Sequence, residues 1–267
     1  MRANKAKRTL KQGGVSIGTM FFEFNTTGIA RIAANAGADF ALFDTEHTGW
    51  DADTIRMLMA TARAADIVPL VRVPATQYHL IARPLDLGAM GIMIPMVESQ
   101  EQAQVLVRSA KYPPEGGRGA AFGVAHDDYT GGDVPEKMKR ANDEVLLIGL
   151  VETVAGIENV DKIAAVDGLD VLWIGHFDLT NSMGIPGQFT HPRFLEAVDS
   201  VLEACARHGK AAGFMAADVE TGTKLIGQGF RCISYSGDIW LFSQALRAGV
   251  SALKDAAGKK RVLSPSE

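Results

Sequence analysis

Residues 145–178, VLLIGLVETVAGIENVDKIAAVDGLDVLWIGHFD, decide the fold. Two runs within this stretch, 145–151 and 169–175, are almost continuously apolar and rich in Val, Ile and Leu. Strands covered on both faces need that composition, because neither face is left to carry polar residues. The same unit recurs in both directions. Strand-like runs are expected at 15–22, 40–46, 68–74 and 91–97 before it, and at 211–216 and 230–235 after it. Amphipathic stretches fill the gaps. One covers 53–65 with Asp53 as its N-cap, another covers 101–110 behind Ser99, and a third runs from HPRF at 191 to 207 and stops near Gly209. Eight strands alternating with about eight helices, with no break in composition, predict an α/β fold. The expected form is a single closed parallel (β/α)8 barrel, a TIM barrel, over 1–267. A doubly wound open sheet is the alternative, but it usually has fewer strands and often opens on a glycine-rich turn, which is absent here.

The chain has 267 residues, the size of one such barrel, and 47% hydrophobic residues to fill its core. Its formal net charge of −4 gives no electrostatic case for nucleic acid or a membrane surface. Cys205 and Cys232 have no short spacing between them, so they read as buried, inert thiols rather than a zinc ribbon or a disulfide framework. The basic start, MRANKAKRTLKQGG, has no apolar run behind it and reads as neither a secretory signal nor an anchor. No apolar stretch approaches the roughly 20 residues of a spanning helix. A cytoplasmic protein is expected. The longest irregular segment, 112–142, is rich in Gly, Pro and charge. Its length marks it as a lid, a binding element or an oligomer contact.

Barrels of this kind place their active sites at the C-terminal ends of the strands. The polar residues expected there are Asp44, Thr45, Glu46 and His47 after the second run, Arg72 in the third, Glu152 after the fifth, and His176 and Asp178 after the sixth. Glu152 and Asp178 lie one βα unit apart. Spacing alone admits two readings: a ligand pair for one hard divalent cation, or two strand-end acids that cap the following helices. Arg72, inside the apolar VPLVRVP, needs an anion or several acceptors. Either a substrate oxyanion or an ion pair with Asp44 or Glu46 would serve. His47 is either a general base or a capping or core histidine. His126, His191 and His208 read as structural or loop-borne, with His191 at a capping position. Asp86 falls before the fourth run, which puts it at the opposite end of the barrel. The lysines lie at the termini, in helices or in loops, and Lys210 precedes the seventh run. That placement speaks against imine chemistry, which needs a lysine inside the barrel, and for a metal-stabilised enolate.

Six stretches taken in order carry a family resemblance: FDTEHTGWD, VPLVRVP, LDLGAMGIMIPMVES, YPPEGGRG, VETVAGIENVD and WIGHFDLTNSMGIPGQFTHP. The chain resembles the HpcH/HpaI aldolases, class II pyruvate aldolases of the 4-hydroxy-2-oxoheptanedioate and 2-dehydro-3-deoxyglucarate aldolase type. The resemblance implies cleavage of a 4-hydroxy-2-oxo acid into a 2-oxo acid and an aldehyde. It implies a divalent metal ion (Mg, Mn or Co) on Glu152 and Asp178, and an Arg72 that contacts the 2-oxo group. It also implies His47 as acid/base through a water, Asp86 as the residue that orients it, and Asp44 as an acid of the same site. Gly175, His176 and Phe177 are expected to face the substrate carboxylate through their backbone, and Leu150 to lie beside the oxo acid. Homo-oligomers are expected, hexamers built as paired trimers whose neighbouring subunits complete the site.

The chain also departs from the family pattern. The usual Gly-Pro-Ala-Asp reads Gly175-His176-Phe177-Asp178, a frequent glutamine is Leu150, and the loop after YPP reads AAFGVAHDDY. The bulk of Phe177 and the acidic residues at 126–128 point to a small or neutral aldehyde partner. Two rival readings stand beside this one: a decarboxylase or condensing synthase on the same metal-enolate site, and a non-catalytic binder of 2-oxo acids.

Overall fold

The computed structural model describes residues 2–261. Eight strands form the barrel: β1 (Ser16–Phe21), β2 (Phe40–Asp44), β3 (Val68–Arg72), β4 (Gly91–Ile94), β5 (Leu146–Val151), β6 (Val171–Ile174), β7 (Ala211–Ala216) and β8 (Cys232–Gly237). Each pairs in parallel with the next, and β8 returns to β1 to close the sheet. All eight expected strands are present. The helices are α1 (Lys5–Lys11), α2 (Ile29–Asn35), α3 (Ala52–Ala65), α4 (Tyr78–Asp86), α5 (Gln100–Ala110) and α6 (Val134–Glu144), followed by α7 (Val154–Glu158), α8 (Val160–Ala164), α9 (His176–Ser182), α10 (Pro192–Arg207), α11 (Val219–Gln228) and α12 (Asp238–Arg261). None is long and apolar enough to cross a membrane among the described residues. Both cysteines are buried, and burial pushes each thiol up to about 12.

The period of two along each strand separates the core into two layers. Phe40 and Leu42, Val68 and Leu70, Ile148 and Leu150, and Val171 and Trp173 fill the barrel interior. The intervening Ala41, Phe43, Val71, Leu147, Val151, Leu172 and Ile174 pack outward against the helices. Each Val, Leu, Ile or Phe side chain among them contributes about 1.5–3 kcal/mol when fully buried. Interior space is tight: a β-carbon on Gly213 would come within 2.4 Å of the Trp173 ring. At the N-terminal end α1 lies across the barrel, with Ala6 and Leu10 buried against the interior cluster. Asn4 caps this helix and donates from Nδ2 to the carbonyls of Met90 and Glu144, both at 2.9 Å.

Three expectations need correcting. Asp51, not Asp53, caps α3: Thr54 N–H donates to its carboxylate at 2.8 Å. An N-cap side chain reaches the amide three residues on, whereas Asp53 already lies within the first turn. The 112–142 segment follows α5, so it crosses the N-terminal end of the barrel, away from the strand ends where chemistry was expected. Part of it folds as α6. Its acids are neutralised locally. Asp127 accepts from Gly123 N at 2.8 Å and from Lys137 Nζ at 2.7 Å, and Asp128 pairs with Arg63 at 3.0 Å. These acids therefore cannot repel a substrate at the mouth of their own barrel.

Candidate active site

The inward alternation of the strands continues past the apolar layers. Phe40 and Leu42 lead to Asp44, Val68 and Leu70 to Arg72, and Ile148 and Leu150 to Glu152. Strand register places Asp44 beside Arg72. The top layer of the barrel is thus charged where those below are apolar.

Asp44 is fully buried and organises the turn that follows it. One carboxylate oxygen accepts from Arg72 Nε at 2.6 Å and from Glu46 N at 3.1 Å; the other accepts from His47 N at 3.0 Å. Thr45 Oγ1 donates to the Arg72 carbonyl at 2.6 Å, and Thr48 Oγ1 to the Asp44 carbonyl at 2.6 Å. Arg72 Nη1 also meets Glu46 Oε2 at 3.2 Å, and its guanidinium lies 5.9 Å from the Phe22 ring centre. Burial would lower the Arg72 pKa, but the hydrogen bond and charge of Asp44, with Glu46 and Glu152, carry it above its ordinary value. Both ion pairs weighed from the sequence exist together. They engage Nε and Nη1 of the guanidinium, and Nη2 has no carboxylate partner among the described residues. The His47 side chain is mostly exposed, with Nε2 at 3.8 Å from Glu46 Oε2.

Glu152 is 3% exposed. It does not cap the helix after it: Thr153 does, accepting from Gly156 N at 3.0 Å. Glu152 Oε1 instead accepts from Met96 N at 2.8 Å. Met96 holds a φ of +53°, a left-handed conformation that is rare for a long side chain and clusters at functional sites. Gly175 occupies the N-cap of α9, with Asp178 in the first turn of that helix. Burial foremost, and then the charges of Glu46 and Asp178, push the Glu152 carboxyl up to about 8. Glu46 is raised as well, by burial first and with Asp44 and Asp178 adding to it, while Arg72 and His47 oppose. Its buried Oε2 makes no well-directed hydrogen bond among the described residues, although Arg72 Nη1 lies 3.2 Å away. Asp44, Glu46 and Glu152 act on Arg72, and Asp178 lies near enough to Glu46 and Glu152 to raise both, so acids outnumber the one arginine. Oxygen donors with a surplus of negative charge are what a hard divalent cation takes.

Not every expected residue joins this cluster. Asp86 ends α4 at the N-terminal end of the barrel, where its carboxylate lies 2.5 Å from Arg118 Nη2. Within one chain it does not orient His47, because the helix that carries it runs antiparallel to the strands. The His176 ring stacks on Phe214 at 4.9 Å and lies edge-on to Phe189 at 5.0 Å. Phe214 belongs to the outer layer, so His176 packs into the wall, and burial lowers its pKa to about 4. Phe177 is exposed and touches Phe189 edge to face at 5.1 Å. Leu150 lies on the inner face two residues below Glu152 and is buried. Sequence reasoning gave Glu46 only an ion-pair role and missed Met96 and Phe22 altogether. Alternation from Asp44 could have flagged Glu46. Nothing local marks Phe22, whose N–H donates to Asp238 at 3.0 Å across the β1–β8 closure.

The sequence matches the HpcH/HpaI aldolase/citrate lyase family over residues 18–245. A hydroxypyruvate/pyruvate aldolase of Deinococcus radiodurans is 36% identical over 98% of this chain and 94% of its own. A 2-keto-3-deoxy-L-rhamnonate aldolase of Klebsiella pneumoniae is 35% identical over 94% of each chain. The crystal structure of an HpcH/HpaI aldolase from Desulfitobacterium hafniense superposes with a TM-score of 0.89 at 34% identity, over 93% of this chain and 96% of that one. With the same closed barrel and a match that runs from β1 into α12, the chain belongs to the HpcH/HpaI aldolase/citrate lyase family.

Proposed function

We propose that this protein is a metal-dependent aldolase that reversibly cleaves a 4-hydroxy-2-oxo acid into a 2-oxo acid, pyruvate or hydroxypyruvate, and an aldehyde. The observation that carries this reading is the buried Glu152 carboxylate, held by Met96 N–H beside Glu46, Asp178 and the doubly paired Arg72. Glu152 and Asp178 would hold a divalent cation, Mg, Mn or Co, which supplies Lewis acidity to the 2-oxo acid when bound. Arg72, held at Nε by Asp44 and at Nη1 by Glu46, presents its remaining N–H groups to the 2-oxo oxygen. They meet negative charge as it develops there while C3–C4 breaks. His47 lies at the mouth and takes the proton of the C4 hydroxyl through a water. Asp44 holds the backbone of His47 and the guanidinium of Arg72 in one frame, so the base and the oxyanion donor keep a fixed relation. The backbone of Gly175, His176 and Phe177, at the start of α9, faces the substrate carboxylate.

The oligomer belongs to the same reading. α12 exposes Trp240, Phe242, Leu246 and Leu253. A helix that leaves such a row of large side chains uncovered supports an assembly in which neighbouring subunits cover it. Asp86, distant from its own mouth, would then serve a neighbour's site.

The test is release of pyruvate or hydroxypyruvate from a panel of 4-hydroxy-2-oxo acids, with and without chelator. Chelation should abolish turnover, and Mg, Mn or Co should restore it. Full activity in excess chelator, or a covalent adduct trapped by borohydride, would refute the reading. Turnover of oxaloacetate but of no aldol would favour a decarboxylase on the same residues.

A further inference from the structure

At the end of the barrel opposite Glu152 lies a cavity of about 350 Å³. Lys7 and Lys11 of α1, Lys111 after α5, Lys210 before β7 and Arg231 before β8 all line it. Three carboxylates share the lining, but they do not balance these cations. Asp170 is taken by Lys7 Nζ at 2.9 Å and by Leu147 N at 2.9 Å. Glu115 is taken by Lys111 Nζ at 2.6 Å and by Asn142 Nδ2 at 3.1 Å. Asp143 turns to Lys139, outside the cavity, at 2.8 Å.

The remaining cations have neutral hydrogen-bond partners or none. Lys210 Nζ donates only to the Val166 carbonyl, at 2.9 Å. Arg231 donates to the carbonyls of Leu10 and Lys210, at 2.7 and 2.8 Å. Lys11 makes no side-chain hydrogen bond among the described residues. Lys7 and Lys111 are themselves 3% and 7% exposed. A buried or half-buried cation without a counter-charge is expensive, and several around one void are more so. The cost shows even where a carboxylate is near, at Lys7 beside Asp170 and at Lys210. Burial foremost lowers the Lys7 pKa against the opposing Asp170, with Lys11 and Lys111 adding to it, and burial likewise lowers Lys210 against Asp170 and Asp167.

We propose that this cavity binds a phosphate-bearing anion at a site separate from the catalytic mouth. Five cations against three carboxylates leave a surplus that matches the charge of a phosphate dianion. A guanidinium with several ammonium groups is a common phosphate-binding set. The volume holds phosphate with room for an attached small group, within the usual range of ligand pockets. Occupation would also tie α1, through Lys7 and Lys11, to the strand starts that carry Lys210 and Arg231.

The probes are inorganic phosphate and glycerol 3-phosphate, added to the full-length protein at ionic strength matched with chloride. Phosphate at about 10 mM should raise the melting temperature by a few degrees through mass action on the folded state. Phosphorus NMR line broadening should report saturable binding that excess pyruvate does not displace. The double variant Lys11→Gln, Lys210→Gln should weaken binding at least about tenfold, with the kinetics of the catalytic reaction unchanged. Tighter binding of glycerol 3-phosphate than of phosphate would identify an ester as the ligand; the reverse would identify free phosphate. Equal effects of phosphate and matched chloride or succinate would overturn the proposal. So would displacement by pyruvate, or undiminished binding in the double variant. Should that variant fold poorly, Lys11→Gln alone, an exposed position, carries the same test with a smaller expected loss.

Discussion

A β-carbon on Gly175 would lie 2.2 Å from Oε2 of Glu152 and 2.7 Å from its Cβ. The carboxylate occupies the space that any other residue at the start of α9 would fill. Glu152 cannot retreat, because Met96 N–H holds its other oxygen and the layer below it is packed by Leu150 and Trp173. Gly175→Ala is therefore expected to displace Glu152 rather than unfold the barrel. Manganese binding, read by electron paramagnetic resonance, should weaken at least about tenfold, equivalent to about 1.4 kcal/mol. Wild-type affinity in a folded Gly175→Ala protein would separate Glu152 from the metal.

The raised Glu152 carboxyl makes a second prediction, with a definite sign. Its folded pKa of about 8 lies above the ordinary 4.5, so the folded chain keeps a proton that the unfolded chain has lost. Stability that depends on this proton is complete below about pH 4.5 and disappears as the pH rises through 8. Glu152→Gln is permanently neutral. In metal-free protein it should gain on wild type between pH 5 and 8 by on the order of 1 kcal/mol or more. Manganese should then restore wild type and not the variant. A melting-temperature difference that stays flat over this range would contradict the buried, proton-holding carboxyl.

Arg72 separates structure from chemistry by substitution. Arg72→Ala should keep the fold but lose cleavage by at least about 10²-fold, the scale of losing one donor to a developing oxyanion. Arg72→Lys should recover little. A single ammonium cannot hold both Asp44 and Glu46 and still offer donors to substrate. Melting curves report the structural part and kcat the chemical part. A near-normal kcat in the alanine variant would reduce Arg72 to a strut between two acids.

The fold was legible because eight apolar runs are hard to satisfy in any other way, and every one became a strand. The top of the barrel was partly legible for the same reason: polar residues that end apolar runs have few other places to go. What failed was anything that depends on side-chain direction or on distant chain. His176 adjoins the site in sequence but turns into the wall, because Phe214 and Phe189 offer it an aromatic slot. Met96 contributes a backbone N–H, to which a sequence motif is blind. The acidic Asp127 and Asp128 read from sequence as available for substrate, yet Lys137 and Arg63 claim both at the other end of the molecule.

Asp86 is decided by mixing subunits. If it serves a neighbour's site, Asp86→Asn and His47→Ala should each be nearly inactive as homo-oligomers. Co-expressed, they should recover roughly a quarter of wild-type activity, since random assembly gives that share of sites both intact residues. If Asp86 only anchors Arg118, which stacks 4.8 Å above Tyr112, the asparagine variant should lose stability and keep its turnover, and mixing should restore nothing.

The choice of aldehyde rests on Phe177. With the acidic residues at 126–128 removed to the far end of the barrel, charge repulsion from that loop no longer bears on the substrate. What remains beside Asp178 is an aromatic group of His176, Phe177 and Phe189. Phe177 directly precedes Asp178, is 60% exposed, and leans edge-on against Phe189, which is itself 36% exposed. Below it the buried Leu150 offers no hydrogen bond. An aldehyde that carries a second carboxylate would have to be desolvated against this aromatic edge without gaining a cation, because Asp44 and Glu46 hold two nitrogens of Arg72 and the 2-oxo oxygen takes the N–H groups that remain. A small or neutral aldehyde meets no such cost. In the synthesis direction, glycolaldehyde or glyceraldehyde should therefore be used in preference to succinic semialdehyde. Phe177→Ala should narrow that preference while metal affinity stays unchanged. A tenfold or greater preference for the semialdehyde, about 1.4 kcal/mol in transition-state binding, would show that the second carboxylate finds a cation elsewhere, and that Phe177 does not set the substrate.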